Sequence, residues 1–390
     1  MEYVPEPVVN DHDKATQYLY ELAIKLLELK GSDIFITAGS PAVLKANQDI
    51  HRVGSQKLMP QQTALLVRSI MNDRQAREFD QHHEVNFSLN FPDLARFRVS
   101  AFTQRGSSGM VLRLIQQKIP TLAELNLPPI LEEITMHKRG LVIFVGGTGC
   151  GKTTSLAAMV DYRNSHCREH IVTIEDPIEF FHRHKQCLVD QREVGVDTES
   201  YEVALKNTLR QAPNVILIGE VRDRETMQQA LNFAETGHLC LTTLHANNTD
   251  QAFDRIINFF PEEKRTQVLM DLSFNVRAFI SQRLLPREDQ SSLIPAVEVL
   301  VNTPLMAELI FQGRVKEIKS IMARSSEQGI ITFDDALFKL YETGRISYET
   351  AIRHADSANN LRLRIKLESQ RPQPQMISAA LHLEEDKKRR

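Results

Sequence analysis

Residues 146–153, Gly146-Gly147-Thr148-Gly149-Cys150-Gly151-Lys152-Thr153, fill every required position of the phosphate-loop pattern G-x-x-x-x-G-K-S/T, with Thr154 following. Glycines let successive backbone N–H groups curl around phosphate oxygens, and Lys152 adds a point charge for the β and γ phosphates. Thr153 can ligate Mg²⁺, while the helix that starts there turns its positive end toward the anion. Four acids stand further along the chain in polar segments that follow apolar runs: Glu175, Asp176 and Glu179 in Thr173-Ile174-Glu175-Asp176-Pro177-Ile178-Glu179, and Glu220 after Val215-Ile216-Leu217-Ile218-Gly219. Phosphoryl transfer to water needs charge neutralisation, a metal and an oriented nucleophile. Glu220 is placed to orient or deprotonate the water, with Glu179 the second candidate acid. Many phosphate-loop proteins carry a metal-binding aspartate one residue before such a glutamate. Here that position is Gly219, so Thr153, waters and the 175–179 acids must complete the Mg²⁺ shell.

The elements that must position these residues are legible as an alternation. Apolar stretches 141–145, 170–174, 214–218 and 238–244 read as strands, each ending in a polar or glycine-rich segment, and helical stretches 153–163, 201–210 and 223–236 separate them. Strand–helix alternation predicts a mostly parallel sheet covered by helices on both faces, with ligands at the carboxyl ends of the strands. That brings Lys152, Glu175, Glu179, Glu220 and His245 to one edge. His245 suits phosphate sensing. His238, seven residues earlier, faces the other side of the ladder unless the strand bends, and is either a supporting or a structural residue. Asp176, Arg210 and Arg222 complete the supporting charges. Cys150 either fills a variable loop position or is a thiol whose oxidation blocks the nucleotide.

Composition sets the limits. The 390 residues suffice for two or three domains. Lys and Arg number 47 against 50 Asp and Glu, so no global basic field draws the chain to nucleic acid or acidic lipid. Four cysteines (150, 167, 187 and 240) form no C-x-x-C pair, which argues against a zinc site and for a reducing compartment. The first residues lack a secretory pattern and no segment has the apolar length of a membrane span, so the expected location is cytoplasmic.

In order, residues 1–13 are a loose acidic lead, 14–117 a small α+β domain, 118–130 a linker with three prolines, 131–302 the nucleotide-binding core, 303–369 a helical domain and 370–390 a disordered tail. Within the first domain, helices are expected at 14–29, 61–71 and 74–79 and strands at 32–37, 42–46, 85–89, 95–102 and 109–115. Arg96 and Arg98 share one face of their strand, and Arg113 interrupts another. Such arginines are either solvated surface residues or functional ones. Residues 263–285 read as one long helix, with Val268, Leu272, Val276, Phe279 and Ile280 on a face, and 293–301 as a further strand.

With these residues in view, the chain resembles the type IV pilus retraction ATPases, the PilT/PilU branch of the secretion ATPases. Four segments carry the resemblance over residues 14–370: GGTGCGKTTS, TIEDPIEF, LRQAPNVILIGEVRDRET and AETGHLCLTTLHANN. It implies a homohexameric ATPase in which a PAS-like N-terminal domain joins a RecA-like core. It also implies that Arg96, Arg98 and Arg113 reach nucleotide phosphates, that Glu179 and Glu220 are catalytic, and that ATP and Mg²⁺ bind. One departure refines it. Retraction motors carry an Ala-Ile-Arg-Asn-Leu-Ile-Arg-type motif where this chain reads Thr303-Pro304-Leu305-Met306-Ala307-Glu308-Leu309-Ile310. Without those arginines the chain looks most like the PilU type, an accessory to a PilT-like motor, working on an inner-membrane platform protein of the pilus machinery. The alternatives are a pilus-extension or type II secretion ATPase, a RecA-like nucleic-acid motor and a non-hydrolysing nucleotide-gated scaffold. Against the first stands the missing tetracysteine motif, and against the second the acidic balance, which leaves no nucleic acid among the expected partners.

Overall fold

The computed structural model describes residues 11–46, 49–115, 118–290, 292–325 and 329–371. Residues 1–10 of the acidic lead and all but the first two residues of the tail lie outside the described residues. The chain divides into two compact units, one formed by residues 1–119 with 177–183 and 192–199, the other by 120–176, 184–191 and 200–390.

The first unit contains α1 (His12–Glu28), β1 (Asp33–Ile36), β2 (Ala42–Ala46), β3 (Asp49–Val53), α2 (Pro60–Arg68), α3 (Asp73–His82), β4 (Glu84–Phe91), β5 (Ala95–Gln104) and β6 (Ser107–Ile115). Asp11 caps α1 by accepting from the Lys14 amide at 2.8 Å. Tyr18, Leu19, Leu22 and Leu26 bury one face of that helix. The strands form an antiparallel sheet in the order β3-β2-β1-β6-β5-β4. Alternation along β5 sends Phe97, Val99 and Ala101 into the core and leaves Arg96 and Arg98 on the other face. This is the PAS-like α+β N-terminal domain. The sequence reading missed β3, because a charged edge strand with four exposed residues carries no apolar alternation.

The second unit is the RecA-like core with its helical C-terminal region. It runs α4 (Ile130–Thr135), β7 (Gly140–Val145), α5 (Lys152–His166), β8 (His170–Glu175), β9 (Leu188–Glu193, whose last two residues belong to the first unit), α6 (Tyr201–Thr208), β10 (Val215–Ile218), α7 (Arg224–Glu235) and β11 (Leu239–Leu244). It continues with α8 (Thr249–Asn258), α9 (Glu262–Asn275), β12 (Val276–Pro286), β13 (Leu293–Val301), α10 (Pro304–Phe311), α11 (Val315–Met322), α12 (Phe333–Glu342), α13 (Tyr348–His354) and α14 (Ala358–Glu368). The sheet order is β13-β12-β7-β11-β10-β8-β9, with β12, β7, β11, β10 and β8 parallel and β13 antiparallel. β7, β10 and β11 are buried at every residue, as strands covered on both faces must be.

The expected long helix over 263–285 is a correction. The helix stops at Asn275 and the chain turns into β12, which pairs with β7 on one side and β13 on the other. Asn302 ends the helix by donating its Nδ2 to the carbonyls of Ser273 and Val276, both at 2.9 Å. A strand buried on both faces offers the same near-continuous apolar run as a buried helix, so periodicity alone misleads here. β9 was also missed, for the same reason as β3: it is a polar edge strand.

Candidate active site

β7 delivers the chain to Gly146, and α5 starts at Lys152 with Gly151 as its N-cap. Gly149 and Gly151 take φ of +75° and +87°, a region closed to most side chains. Gly146 is needed for space: a Cβ there would lie 2.3 Å from Cys150 Sγ and 2.8 Å from the carbonyl oxygen of Gln282. Gly147, Thr148 and Gly149 are exposed, while Thr153 and Thr154 are half-buried on the first turn of α5. Lys152 is buried and donates from Nζ to the carbonyls of Gly146 (2.8 Å) and Gly147 (2.9 Å), which holds its charge at the loop.

Around the loop, the carboxyl ends of β8, β10 and β11 deliver Glu175, Glu220 and His245. Glu220 Oε1 lies 3.1 Å from His245 Nε2, and Oε2 accepts from Arg222 Nε at 2.8 Å. Arg222 reaches on to Asp176 Oδ2 at 3.1 Å, and its pKa is raised chiefly by the hydrogen bond to Glu220. His245 is held below its ordinary pKa by burial and then by the Lys152 charge, against the pull of Glu220. It is therefore neutral at pH 7, and Nε2–H is the tautomer that serves Glu220. Glu175 is buried, accepting from Thr173 Oγ1 at 2.6 Å and Gln191 Nε2 at 3.2 Å.

Gly219, where an aspartate is common, is explained by packing. A Cβ there would stand 3.0 Å from Tyr201 Oη and 3.3 Å from both Glu175 Cα and the Ile174 carbonyl oxygen. The Tyr201 hydroxyl, with its pKa pushed up by burial and then by Asp176, occupies the ground an aspartate would need.

Arg210, expected among the supporting charges, does not join this set, and His238, open between a supporting and a structural role, falls to the structural one. His238 precedes β11, and its Nδ1 bonds locally to the Phe233 carbonyl (3.2 Å) and Thr236 Oγ1 (3.1 Å). The six-residue strand between it and His245 puts them about 20 Å apart. Arg210 is exposed in a 3-10 turn before β10, next to Gln211, whose carbonyl meets His170 at the start of β8. Both therefore sit at the amino ends of the strands, opposite the loop.

Gln282 was missed. It is buried on β12, donating from Nε2 to the Cys150 carbonyl and accepting at Oε1 from Ser155 Oγ, both at 2.8 Å. The helix expected over this stretch hid it; a strand assignment would have set it beside the loop.

In the first unit, Arg98 and Arg113 stand directly opposite on β5 and β6, with Arg96 two residues away on the same face. Arg113, 69% exposed, pairs with Asp33 at 2.8 Å. Arg96 Nε is buried without a hydrogen-bond partner. Glu193, of the same unit, feels the charges of Arg98 and Arg96, yet burial raises its pKa. Asp33 and Glu193 offset part of the repulsion between these like charges, and Arg96 Nε is left over without a partner. Glu179 is exposed in segment 177–183, which groups with this unit.

A phosphate loop on a parallel sheet, with a glutamate, a histidine and an arginine joined beside it, defines a P-loop ATPase with a RecA-like core. A model of the family described as Type II/IV secretion system protein matches residues 9–365, and the chain belongs to that family. It is 57% identical over 352 residues to the type IV pilus ATPase PilU of Pseudomonas aeruginosa, covering 90% of this chain and 92% of that protein. Identity to the type IV pilus retractation ATPase PilT of the same organism is 40% over 329 residues, covering 84% and 95%. A crystal structure of the pilus retraction motor PilT with bound ADP superposes with a TM-score of 0.82 at 36% identity, covering 88% of this chain and 98% of that one.

Installing an aspartate by Gly219→Asp is expected to cost about 1–3 kcal/mol through overpacking, read from urea denaturation. An unchanged midpoint would contradict the packing account. The acid limb of the kcat profile is expected below pH 6.5, because the pKa of His245 is lowered. His245→Gln keeps an N–H donor for Glu220 and should move that limb to lower pH, and identical profiles would assign it to another group.

Proposed function

We propose that this chain is a PilU-like accessory motor that hydrolyses ATP to assist type IV pilus retraction. The observation that carries the reading is the convergence of Lys152, Glu220 and His245 at the carboxyl ends of three adjacent strands, β7, β10 and β11. The likeness to PilU and PilT supplies the biological setting.

In this reading the loop amides and Lys152 hold the β and γ phosphates. Each Glu220 oxygen has two lone pairs, so Oε1 can keep its bond to His245 and still accept from a water. That water attacks the γ-phosphorus, the bond to the β–γ bridging oxygen breaks, and ADP and phosphate leave. Arg222 fixes the Glu220 rotamer, and neutral His245 donates to it without adding a competing charge. Among the described residues no three His, Cys, Asp or Glu side chains gather as a metal site. A lone hydroxyl at Thr153 fits Mg²⁺, an ion that asks little of the protein and takes phosphate and water oxygens. When bound, Mg²⁺ would neutralise the phosphates.

The arginine face of the first unit is the proposed second source of positive charge, with Glu179 as a supporting acid. A homohexamer would let it act on a neighbour's nucleotide. At 303–310, α10 has Leu305 half exposed, and Phe311 at its end is 48% exposed. That apolar surface, in place of arginines, supports dependence on a PilT-like partner and contact with an inner-membrane platform protein. No described helix is long and apolar enough to cross a membrane, which accords with a cytoplasmic motor held at the membrane by the pilus machinery.

Glu220→Gln should retain ADP binding while turnover drops on the order of a hundredfold. In the native host, that variant should reduce retraction as strongly as loss of the protein does, and a PilT-like motor should be required for retraction in either case. Near-normal turnover would remove Glu220 as the base, and full motility with this motor alone would remove the accessory role. Mixing Arg113→Ala with Glu220→Gln chains should partly restore hydrolysis if the arginine acts on a neighbour's site. Mixed assemblies without activity above either parent would confine it to its own chain.

A further inference from the structure

The phosphate loop is usually considered with the strand and helix that flank it, but here a third element grips it. Gln282 touches the loop at both ends. Its carbonyl oxygen faces Gly146 and its side-chain nitrogen faces Gly151, each 2.8 Å from where a Cβ would stand. Between these, its amide bridges the Cys150 carbonyl and the Ser155 hydroxyl. It is 3% exposed, so water offers these groups little substitute. The register explains the position: Ser281 pairs with Val145, the last residue of β7, so Gln282 is level with the start of the loop.

The next residue points the other way along the strand. Arg283 donates to the His354 carbonyl at 2.7 Å and to Asp356 Oδ1 at 3.0 Å, and its guanidinium lies 3.8 Å from the centre of the Phe333 ring. Lys319, on α11, holds the other oxygen of Asp356 at 2.5 Å. Two adjacent residues of β12 thus hold the phosphate loop on one side and α12 and α13 on the other, with α11 joined through the Lys319–Asp356 pair.

We propose that Gln282 is a positioning residue of the phosphate loop, and that β12 links it through Arg283 to the helical C-terminal region. A displacement of those helices then changes the loop's fit to nucleotide, and bound nucleotide biases the helices in return. The inference rests on nucleotide binding at the loop and is independent of the pilus role.

Cys150 supplies the readout, since its half-buried thiol sits in the loop against Gly146. Cys187 and Cys240 are buried and report whether the fold is intact. The full chain is alkylated with iodoacetamide across a series of ADP concentrations, and each cysteine is followed by mass spectrometry. In the parent protein ADP should shield Cys150; absence of shielding would overturn nucleotide binding at the loop itself. Gln282→Met removes both hydrogen bonds and should raise Cys150 alkylation and the half-shielding ADP concentration about tenfold each, about 1.4 kcal/mol, with Cys187 and Cys240 still unreactive. If Gln282→Met exposes the buried thiols, Gln282→Asn, which keeps a neutral amide but shortens its reach by one methylene, carries the same expectation. Arg283→Met should shift both quantities in the same direction, about threefold. Unchanged Cys150 behaviour in a folded Gln282 variant overturns the positioning role. An effect at Gln282 with none at Arg283 overturns the link to the C-terminal helices.

Discussion

The parallel register of the central strands is the constraint on which the site depends. Val145 pairs with Leu244, and Ile218 with Thr242 and Ile174. Those pairings set Gly146 level with His245, and Gly219 level with Thr243 and Glu175, two residues back along the sheet. The chemistry follows from that register, which brings Glu220 level with Leu244 and so beside His245, because the residues beyond the last ladder bonds are the ones that turn toward a ligand. A shift of one residue in any strand would reverse its faces and withdraw its polar end from the set.

How much of this was legible in sequence depended on how uniquely each signal reads. The alternation of apolar strands with helices gave the parallel core, and the glycine-rich loop with Lys152 announced its ligand. Glu220 and His245 were placed by reasoning from the ends of strands, and the structure joins them. Edge strands β3 and β9 escaped because charged, half-exposed residues lack a period. Gln282 escaped because a doubly covered strand and a buried helix share one apolar pattern. His238 was open between a supporting and a structural role and Arg210 was counted among the supporting charges; the strand direction sends both to the opposite end of the sheet. The reason for Gly219 lies in packing that no sequence pattern carries, with Tyr201 standing where an aspartate would go.

Several features of the molecule make poor sense as stabilising devices. Arg98 faces Arg113, Arg96 buries an Nε without a partner, and Lys152 is withdrawn from water onto two carbonyls. Each holds positive charge where folding alone would not place it, and each is compatible with meeting a polyanion. The negative side is arranged with more economy. Arg222 serves two carboxylates at once, and burial keeps His245 neutral so that no second cation competes for Glu220.

The division of the chain carries a consequence for how such a protein can be rearranged over evolutionary time. Residues 177–183 and 192–199 are encoded within the core's stretch of sequence but pack as part of the first unit. The polypeptide therefore passes between the two units five times, and no single breakpoint separates them. A gene fusion or deletion that exchanged everything before residue 120 would leave Ile178, Phe180 and Glu193, all buried, to meet a foreign surface. The first unit is not one contiguous stretch of sequence, so an exchange at a single breakpoint would replace part of its core and keep the rest.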